Sequence, residues 1–303
     1  MSCPVAGPIA LSETAHGSHG CGGSGARVPT QELRPAVRIS ARLVAATAER
    51  LSVRDWEVLR LVARFRVMSG AQLRELHWPE GTPQTRARLA RRSLGRLAGL
   101  EVLAPLHRRV GGVRAGSSGL VFAVGRVGQR LLAGEMRGSR RSRQPYTPGE
   151  RYLTHSLAVA QLYVDLVVAA RWDFAELLAF DPEPACWVEY AGPFMARRVL
   201  KPDAFARHGV REFEYSWFVE MDMGTVSLAT IEGQARHYLE CWRSGVVQHE
   251  RGVFPRVAWI VPDKCRAAQV QDILGRLPAP AHQLFVVVVR EQAIPSLTAE
   301  AGA

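Results

Sequence analysis

Three carboxylates in the second half of the chain have the spacing of a cation site. Asp203 follows a proline, and Glu220 lies 17 residues further on, two positions before Asp222. Side chains alternate across a β-strand, so Glu220 and Asp222 share a face if both lie on the strand next to Asp203. Carboxylate oxygens are ligands for Mg²⁺, and bound Mg²⁺ can activate water for phosphodiester cleavage. The pattern predicts that Asp203, Glu220 and Asp222 converge at one end of a sheet as metal ligands and candidate catalytic residues.

The basic group that would complete such a site is harder to place. Lys201 is the only lysine near these acids, and Arg236 lies in a predicted helix after Asp222. Arginine can stabilise a developing negative charge but does not readily release a proton. Two interpretations stay open. The site is an active Mg²⁺-dependent one, or, as we favour, the acids are solvated or pair with local arginines in a fold that has lost its chemistry.

A second group of residues has the chemistry to bind phosphate. At helical spacing, the segment 82–100 places on one face the apolar residues Leu89, Ala90, Leu94, Leu97 and Leu100, with arginines opposite. If this helix lies in a major groove, Arg88 and Arg92 reach guanine edges. Phosphates are then the expected targets of the remaining arginines of the helix, Arg86, Arg91 and Arg96. The arginines that flank or lie in the glycine-rich loop suit a flanking phosphate or the minor groove: Arg108, Arg109 and Arg114. The alternative is that these arginines are only the solvated face of a surface helix.

The elements around this helix can be predicted from their caps. Ser52 and Asp55 have the spacing of a capping box, Ser69 can cap a second helix, and Thr82 with Pro83 begins the third. The elements that follow are two strands joined by a glycine-rich loop and a short helix, at 102–110, 120–124 and 127–132. Three helices and a hairpin in this order predict a winged helix-turn-helix.

The second half has the pattern of an α/β domain. The predicted elements are a helix (154–170), strands near 187–190, 199–204 and 215–222, a helix (227–242), a strand (256–261), a helix (265–276) and a strand (284–289). This α-β-β-β-α-β order predicts a mixed sheet with helices against it, and the fold class of the whole chain is therefore α/β.

Composition sets the expected boundaries. The first 30 residues are rich in Gly, Ser and Pro and predict a disordered leader, whereas the basic stretch RGSRRSRQPYTPGER predicts a linker. The predicted organisation is a leader and lead-in (1–47), a winged helix (48–136), a linker (137–151), a nuclease-like α/β domain (152–292) and a tail (293–303).

Charge separates the two halves. Residues 1–151 hold 25 arginines and 10 acidic residues, a net charge of +15, and the remainder of the chain has a net charge of −4. A general arginine bias would affect both halves alike, so the asymmetry favours a first half that faces phosphate.

Composition also argues against several classes of protein. With 47% hydrophobic residues the chain is not a disordered protein. The longest apolar stretch, from Leu157 to Ala170, contains Gln161 and Asp165 and is shorter than the roughly 20 residues of a membrane span. No leader peptide is evident, so we expect a cytoplasmic protein without a membrane partner. The five scattered cysteines favour neither disulfides nor a zinc site.

The acids resemble the motif of the PD-(D/E)xK nuclease superfamily. That resemblance implies that Asp203 and Glu220 bind metal and that a lysine assists. The position where this lysine is expected is occupied by Asp222, and Arg236 is the replacement that the following helix offers.

Over residues 48–245 the chain resembles the replication-relaxation family of plasmid and integrative-element proteins. The matching stretches are LSVRDWEVLRLVARFRVMSGAQLREL, the segment starting at His155, KPDAF and FVEMDMGTVSLATIEGQARHY. The residues that carry over are Glu220, Asp222, Gly224, Thr225 and Tyr238. The resemblance implies a DNA-binding accessory of mobile-element replication or transfer. His155, alone on an apolar helix, is either a packed core residue or part of the site.

Three functions are therefore compared. We favour a DNA-binding protein of a mobile element whose nuclease-like domain is inactive. The alternatives are a Mg²⁺-dependent nuclease or nickase delivered by the winged helix, and a transcriptional regulator whose second half dimerises or senses a ligand. The expected partners are double-stranded DNA, replication or transfer proteins of the same element, and a second copy of the chain. No cofactor is expected unless Mg²⁺ serves an active site.

Overall fold

The computed structural model describes residues 39–109, 119–135, 148–172 and 175–299. Residues 39–303 form one compact unit. The predicted leader lies outside the described residues. The end of the predicted lead-in is described, and it carries a helix that was not predicted. This helix, α1 (Ala41–Ala48), is capped by the side chain of Ser40.

The first region of this unit contains four further helices and three strands. Its elements are α2 (Val53–Phe65), β1 (Val67–Ser69), α3 (Gly70–His77), α4 (Pro83–Gly99), β2 (Leu103–Arg109), β3 (Leu120–Val124) and α5 (Arg126–Glu135). The strands form an antiparallel sheet in the order β1-β3-β2. All the elements predicted for this region are confirmed, and β1 is an addition.

The predicted helix caps are present. The Ser52 hydroxyl accepts a hydrogen bond from the Asp55 backbone N–H, and the Asp55 carboxylate accepts one from the backbone N–H of Ser52. Ser69 makes the equivalent bonds at the start of α3, and Thr82 caps α4 with Pro83 in the first turn. These short-range signals define where each helix begins.

The second region is built on a five-stranded mixed sheet. Its helices are α6 (Glu150–Ala170), α7 (Leu228–Ser244), α8 (Val246–Arg251), α9 (Lys264–Gly275), α10 (Ala281–Leu284) and α11 (Ala293–Thr298). Its strands are β4 (Ala175–Pro182), β5 (Val188–Ala191), β6 (Arg197–Leu200), β7 (Ala204–Val210), β8 (Phe213–Met221), β9 (Arg256–Val261) and β10 (Phe285–Val289). The main sheet has the order β10-β9-β8-β7-β4, antiparallel from β4 to β8 and parallel from β8 to β10.

The first strand of this sheet was predicted in the wrong place. The strand expected near 187–190 is β5, which pairs with β6 in a separate two-stranded sheet. The edge of the main sheet is instead β4, whose sequence AELLAFDP is rich in the helix formers Ala, Glu and Leu. The second strand was also misplaced, because the predicted strand 199–204 covers the end of β6 and only the first residue of β7. The α-β-β-β-α-β order holds when β4, β7 and β8 supply the three successive strands.

Helix α6 joins the two regions. It packs against α3 and β1 of the first region and against β4 and β8 of the second, and one hydrophobic cluster extends through both. The Gln72 side chain donates to the Leu157 carbonyl at 2.8 Å, and Arg171 donates to the carbonyls of Glu75 and Leu76. The two predicted domains therefore share a core.

The same helix has the length and apolar composition of a membrane span, alone among the helices of the described residues. Eight of its residues, Leu153 and Leu166 among them, are buried within the unit. This packing accounts for its apolar composition, because the core helix of a compact protein needs the same residues.

Candidate functional site

The arginine face of α4 is exposed. Ala90, Leu94 and Leu97 are buried against the first region, as their spacing predicts. Leu89 departs from the prediction with 41% exposure, and Leu100 is half-buried because it lies past the last turn of the helix. Solvent reaches the four arginines of the opposite face, Arg88, Arg91, Arg92 and Arg96.

Two of the predicted phosphate contacts have structural partners instead. The Arg86 guanidinium lies 2.5 Å from the Glu75 carboxylate and donates to the Trp78 carbonyl at 2.8 Å. Arg96 lies 2.5 Å from Asp55, which is 2% exposed. Burial acts to raise the pKa of Asp55, but hydrogen bonds from Ser52 and Arg96 outweigh it and leave that pKa lowered. Arg86 therefore fixes the position of α4 relative to α3, and Arg96 fixes it relative to α2.

Arg88 and Arg92 differ from these two. They are one turn apart on α4, both are exposed, and neither makes an ion pair or hydrogen bond with another described residue. Arg91, between them in sequence, lines a small groove of about 160 Å³ formed by α3, α4 and the sheet. The side chains of Arg108 and Arg109, and the whole of Arg114, lie outside the described part of the chain.

The three predicted metal ligands line one cleft in the second region. This cleft, of about 530 Å³, lies between the first turns of α6, the end of β8 and the start of α7. Asp203, immediately before β7, and Glu220, on β8, come from adjacent antiparallel strands. Asp222 lies just beyond the end of β8. All three therefore line one cleft, but the prediction that Asp203 and Asp222 lie on strands is wrong, and the contacts of the three acids differ.

Asp203 is paired with His155. The His155 Nε2 lies 3.0 Å from one carboxylate oxygen of Asp203, and the other oxygen accepts from the Met221 backbone N–H at 2.7 Å. Burial acts to lower the pKa of His155, but the hydrogen bond and the charge of Asp203 raise it overall. His155 is therefore a partner of the predicted acid, an outcome that its sequence position alone left open.

Glu220 is a buried acid of the cleft without a cationic partner among the described residues. It is 6% exposed, and the Tyr238 hydroxyl donates to its Oε1 at 2.6 Å. Burial, together with the neighbouring charge of Asp203, raises the pKa of Glu220 well above its usual range, although the Tyr238 hydrogen bond opposes this shift. The surroundings of Glu220 therefore favour its neutral form over its ionised form.

Asp222 is engaged by Arg266 of α9. The Arg266 Nε lies 2.5 Å from Oδ2 of Asp222, while Oδ1 accepts from the Gly224 backbone N–H at 2.8 Å. Arg266 also donates to the Val226 carbonyl, so it fixes the loop after β8. Within the described residues, no group of three or more His, Cys, Asp or Glu side chains is arranged to hold a metal ion.

The predicted basic residues do not reach this cleft. Arg236 is exposed and pairs with Glu232 one turn away on α7, at 2.6 Å. The Lys201 ammonium lies 4.6 Å from the ring centre of Trp187. The residue that does engage a cleft acid, Arg266, was missed, because it lies 44 residues from Asp222 and no local pattern connects the two.

Comparison with known families gives one match. A family model described as replication-relaxation matches residues 59–257, which include α4, α6 and the carboxylate cleft. No curated protein and no solved structure matches the chain.

Proposed function

The chain belongs to the replication-relaxation family, and from this premise we propose that it is a DNA-binding protein acting in the replication or transfer of a mobile element. The first region binds duplex DNA as a winged helix. The second region is a nuclease-like domain that contributes binding rather than cleavage.

One observation carries this proposal. Arg88 and Arg92 are exposed, one turn apart and without a partner among the described residues, although Arg86 and Arg96 on the same helix are paired with acids. An exposed guanidinium without an internal acceptor can bind a ligand without breaking an existing ion pair. DNA phosphates and guanine edges are acceptors whose geometry suits arginine.

The arrangement around α4 supports the winged-helix assignment. Three helices, α2 to α4, precede the hairpin of β2 and β3, and β1 adds a third strand to that hairpin. In this architecture the third helix enters the major groove and the hairpin contacts the flanking backbone. The loop between β2 and β3 includes Arg114 and would be the wing.

The order α6-β4-β7-β8-α7-β9 supports the nuclease-like assignment of the second region. The acids Asp203 and Glu220 belong to the neighbouring strand positions that the superfamily motif requires. No lysine joins them among the described residues, and Arg266 neutralises the acid at the lysine position. Because the lysine of the motif is missing and Asp203 and Asp222 are already paired with cationic side chains, the site favours binding over hydrolysis.

Replacement of the two unpaired arginines tests the proposal. In gel shifts of the full chain on plasmid-derived duplexes, we expect Arg88→Ala/Arg92→Ala to weaken binding about 100-fold, since each base or phosphate contact contributes roughly 1–3 kcal/mol. The variant should also lose preference for its sequence, because both arginines are assigned to guanine edges.

The matched control is Arg197→Ala/Arg276→Ala, which removes the same charge from the second region. Both of these arginines are exposed and paired with acids. We expect this control to bind almost as the wild type. Equal loss in both double variants would attribute binding to overall charge and reject the role of α4.

A metal-dependent phosphodiesterase is the second candidate. The observation in its favour is that Asp203 and Glu220, on adjacent strands, line the same cleft. This second function requires that Mg²⁺ displace His155 from Asp203 and that Glu220 bind the ion in its ionised form.

A further inference from the structure

The acids of the cleft already have hydrogen-bond or ion-pair partners within the protein. Asp203 has His155 and a backbone N–H, and Asp222 has Arg266 and a backbone N–H. Glu220 accepts from Tyr238. Each negative group has a cation or donor beside it, so the cleft does not present three free carboxylates to a cation.

The cleft also holds donors without a partner among the described residues, beginning with the N-terminus of α6. Glu150, Arg151 and Tyr152, the first turn of this 21-residue helix, line the cleft. Gly149 is the N-cap and supplies no side-chain hydrogen bond. The first backbone N–H groups of a helix have no partner within the helix, and the helix dipole places partial positive charge there.

An independent observation comes from Trp259 on β9. This residue lines the same cleft and is only 2% exposed, and its indole Nε1 is buried with no hydrogen-bond partner. An indole N–H is a donor only, and a buried donor without a partner is costly. The group that would satisfy it is an acceptor entering the cleft.

Arg151 adds a full positive charge. Its side chain is exposed and makes no ion pair or hydrogen bond with another described residue. The opposing charge at the rim is Glu150, also exposed. The available donors are therefore a helix N-terminus, a guanidinium and a buried indole N–H, which together suit an anion with several acceptor oxygens.

We propose that the cleft binds a phosphate group without a metal ion, through the start of α6, the Arg151 guanidinium and the Trp259 indole. The proposal rests on the proposed function for its source of phosphate, a DNA strand, and deepens it by giving the second region a ligand. A volume of about 530 Å³ admits a nucleotide as well as the phosphate.

The test is ¹⁹F NMR of the full chain labelled with 5-fluorotryptophan, in EDTA. The Trp259 resonance is identified as the one lost in Trp259→Phe. The probes are inorganic phosphate, a short oligonucleotide with a 5′-phosphate, and the same oligonucleotide with a 5′-hydroxyl. We expect a saturable shift of the Trp259 resonance with inorganic phosphate and with the phosphorylated oligonucleotide. A shift with both oligonucleotides supports the proposal and identifies an internal phosphodiester as the source.

Variants test which side chains bind the phosphate. We expect Arg151→Ala to weaken phosphate binding about tenfold, as for loss of one charge-assisted hydrogen bond, and Glu150→Gln to strengthen it. Arg243→Ala removes an exposed arginine of another groove and should change nothing. The proposal is overturned if the Trp259 resonance does not move, if it moves only with Mg²⁺, or if Arg151→Ala binds phosphate like the wild type. Phosphate binding by Arg88→Ala/Arg92→Ala, measured in parallel, should equal that of the wild type, so a failure of α4 to bind DNA is distinguished from a failure of the cleft to bind phosphate.

Discussion

Each region buries a carboxylate, and the two behave in opposite ways. Asp55 in the first region is 2% exposed, and Ser52 and Arg96 keep its pKa lowered in spite of burial. Glu220 in the second region is 6% exposed, has no cation at hydrogen-bonding distance among the described residues, and has a raised pKa. Burial is common to both, so the partner decides the direction of the pKa shift.

The same distinction separates the arginines. Arg86 and Arg96 are committed to acids of the first region and stabilise the position of α4. Arg88 and Arg92 make no ion pair or hydrogen bond with any described residue and are available to bind a ligand. In the second region Arg266 is committed to Asp222 while Arg151 is available. The arginines without internal partners therefore indicate function better than the total number of arginines does.

The largest stability effect should follow from Asp55→Asn. This change removes the anion that accepts from Ser52 and pairs with Arg96, and we expect it to lower the free energy of unfolding by about 2 kcal/mol at pH 7. Because the folded-state pKa is lowered, this stabilisation is present above the unfolded pKa of about 3.9 and is lost as pH falls through the folded value. Urea unfolding from pH 7 to pH 3 measures it.

The control for this change is Glu80→Gln, an exposed acid of the same region, for which we expect less than about 0.5 kcal/mol. An Asp55→Asn loss that stays constant down to pH 3 would show that the carboxylate is not the stabilising form.

Glu220→Gln should have a smaller effect with the opposite pH dependence. The raised folded pKa means that the stabilisation from neutral Glu220 is complete below the unfolded pKa of about 4.3 and is lost as pH rises through the folded value. We therefore expect the stability of the variant relative to the wild type to rise as the pH increases from 5 to 8. Thermal melts across this range, with Glu212→Gln as an exposed control, provide the measurement. A relative stability that stays constant across this range would contradict the raised pKa of Glu220.

The smallest expected effect is on cleavage. With Mg²⁺ or Mn²⁺, and supercoiled, linear or single-stranded DNA, we expect no cutting that distinguishes the wild type from Asp203→Ala or Glu220→Ala. Robust metal-dependent cleavage that both substitutions abolish, with DNA binding intact, would replace our proposal by the phosphodiesterase.

Sequence predicted those parts of the fold that depend on neighbouring residues. The starts of α2, α3 and α4 follow from Ser52, Ser69 and Thr82, because a cap acts over three residues. Strand β4 was missed, since its composition favours a helix and its pairing with β7 is formed only in the tertiary structure.

The candidate site shows the same limit. The sequence predicted that Asp203, Glu220 and Asp222 lie close together, but it placed Asp203 and Asp222 on strands, whereas they lie just before β7 and just after β8. It did not predict the contacts of Asp222 with Arg266 or of Asp203 with His155, because these residues are distant in sequence. The roles of paired and unpaired charges became apparent only when these contacts were known.

Site-specific crosslinking tests the role of α4 most directly. Benzoylphenylalanine replaces Leu89, the exposed residue between the two unpaired arginines, and in a second protein replaces Phe194, which is fully exposed between β5 and β6. After irradiation with a plasmid-derived duplex, we predict a covalent DNA adduct from position 89 that high salt suppresses, and little from position 194. An adduct from position 194 but none from position 89 would contradict DNA binding through α4.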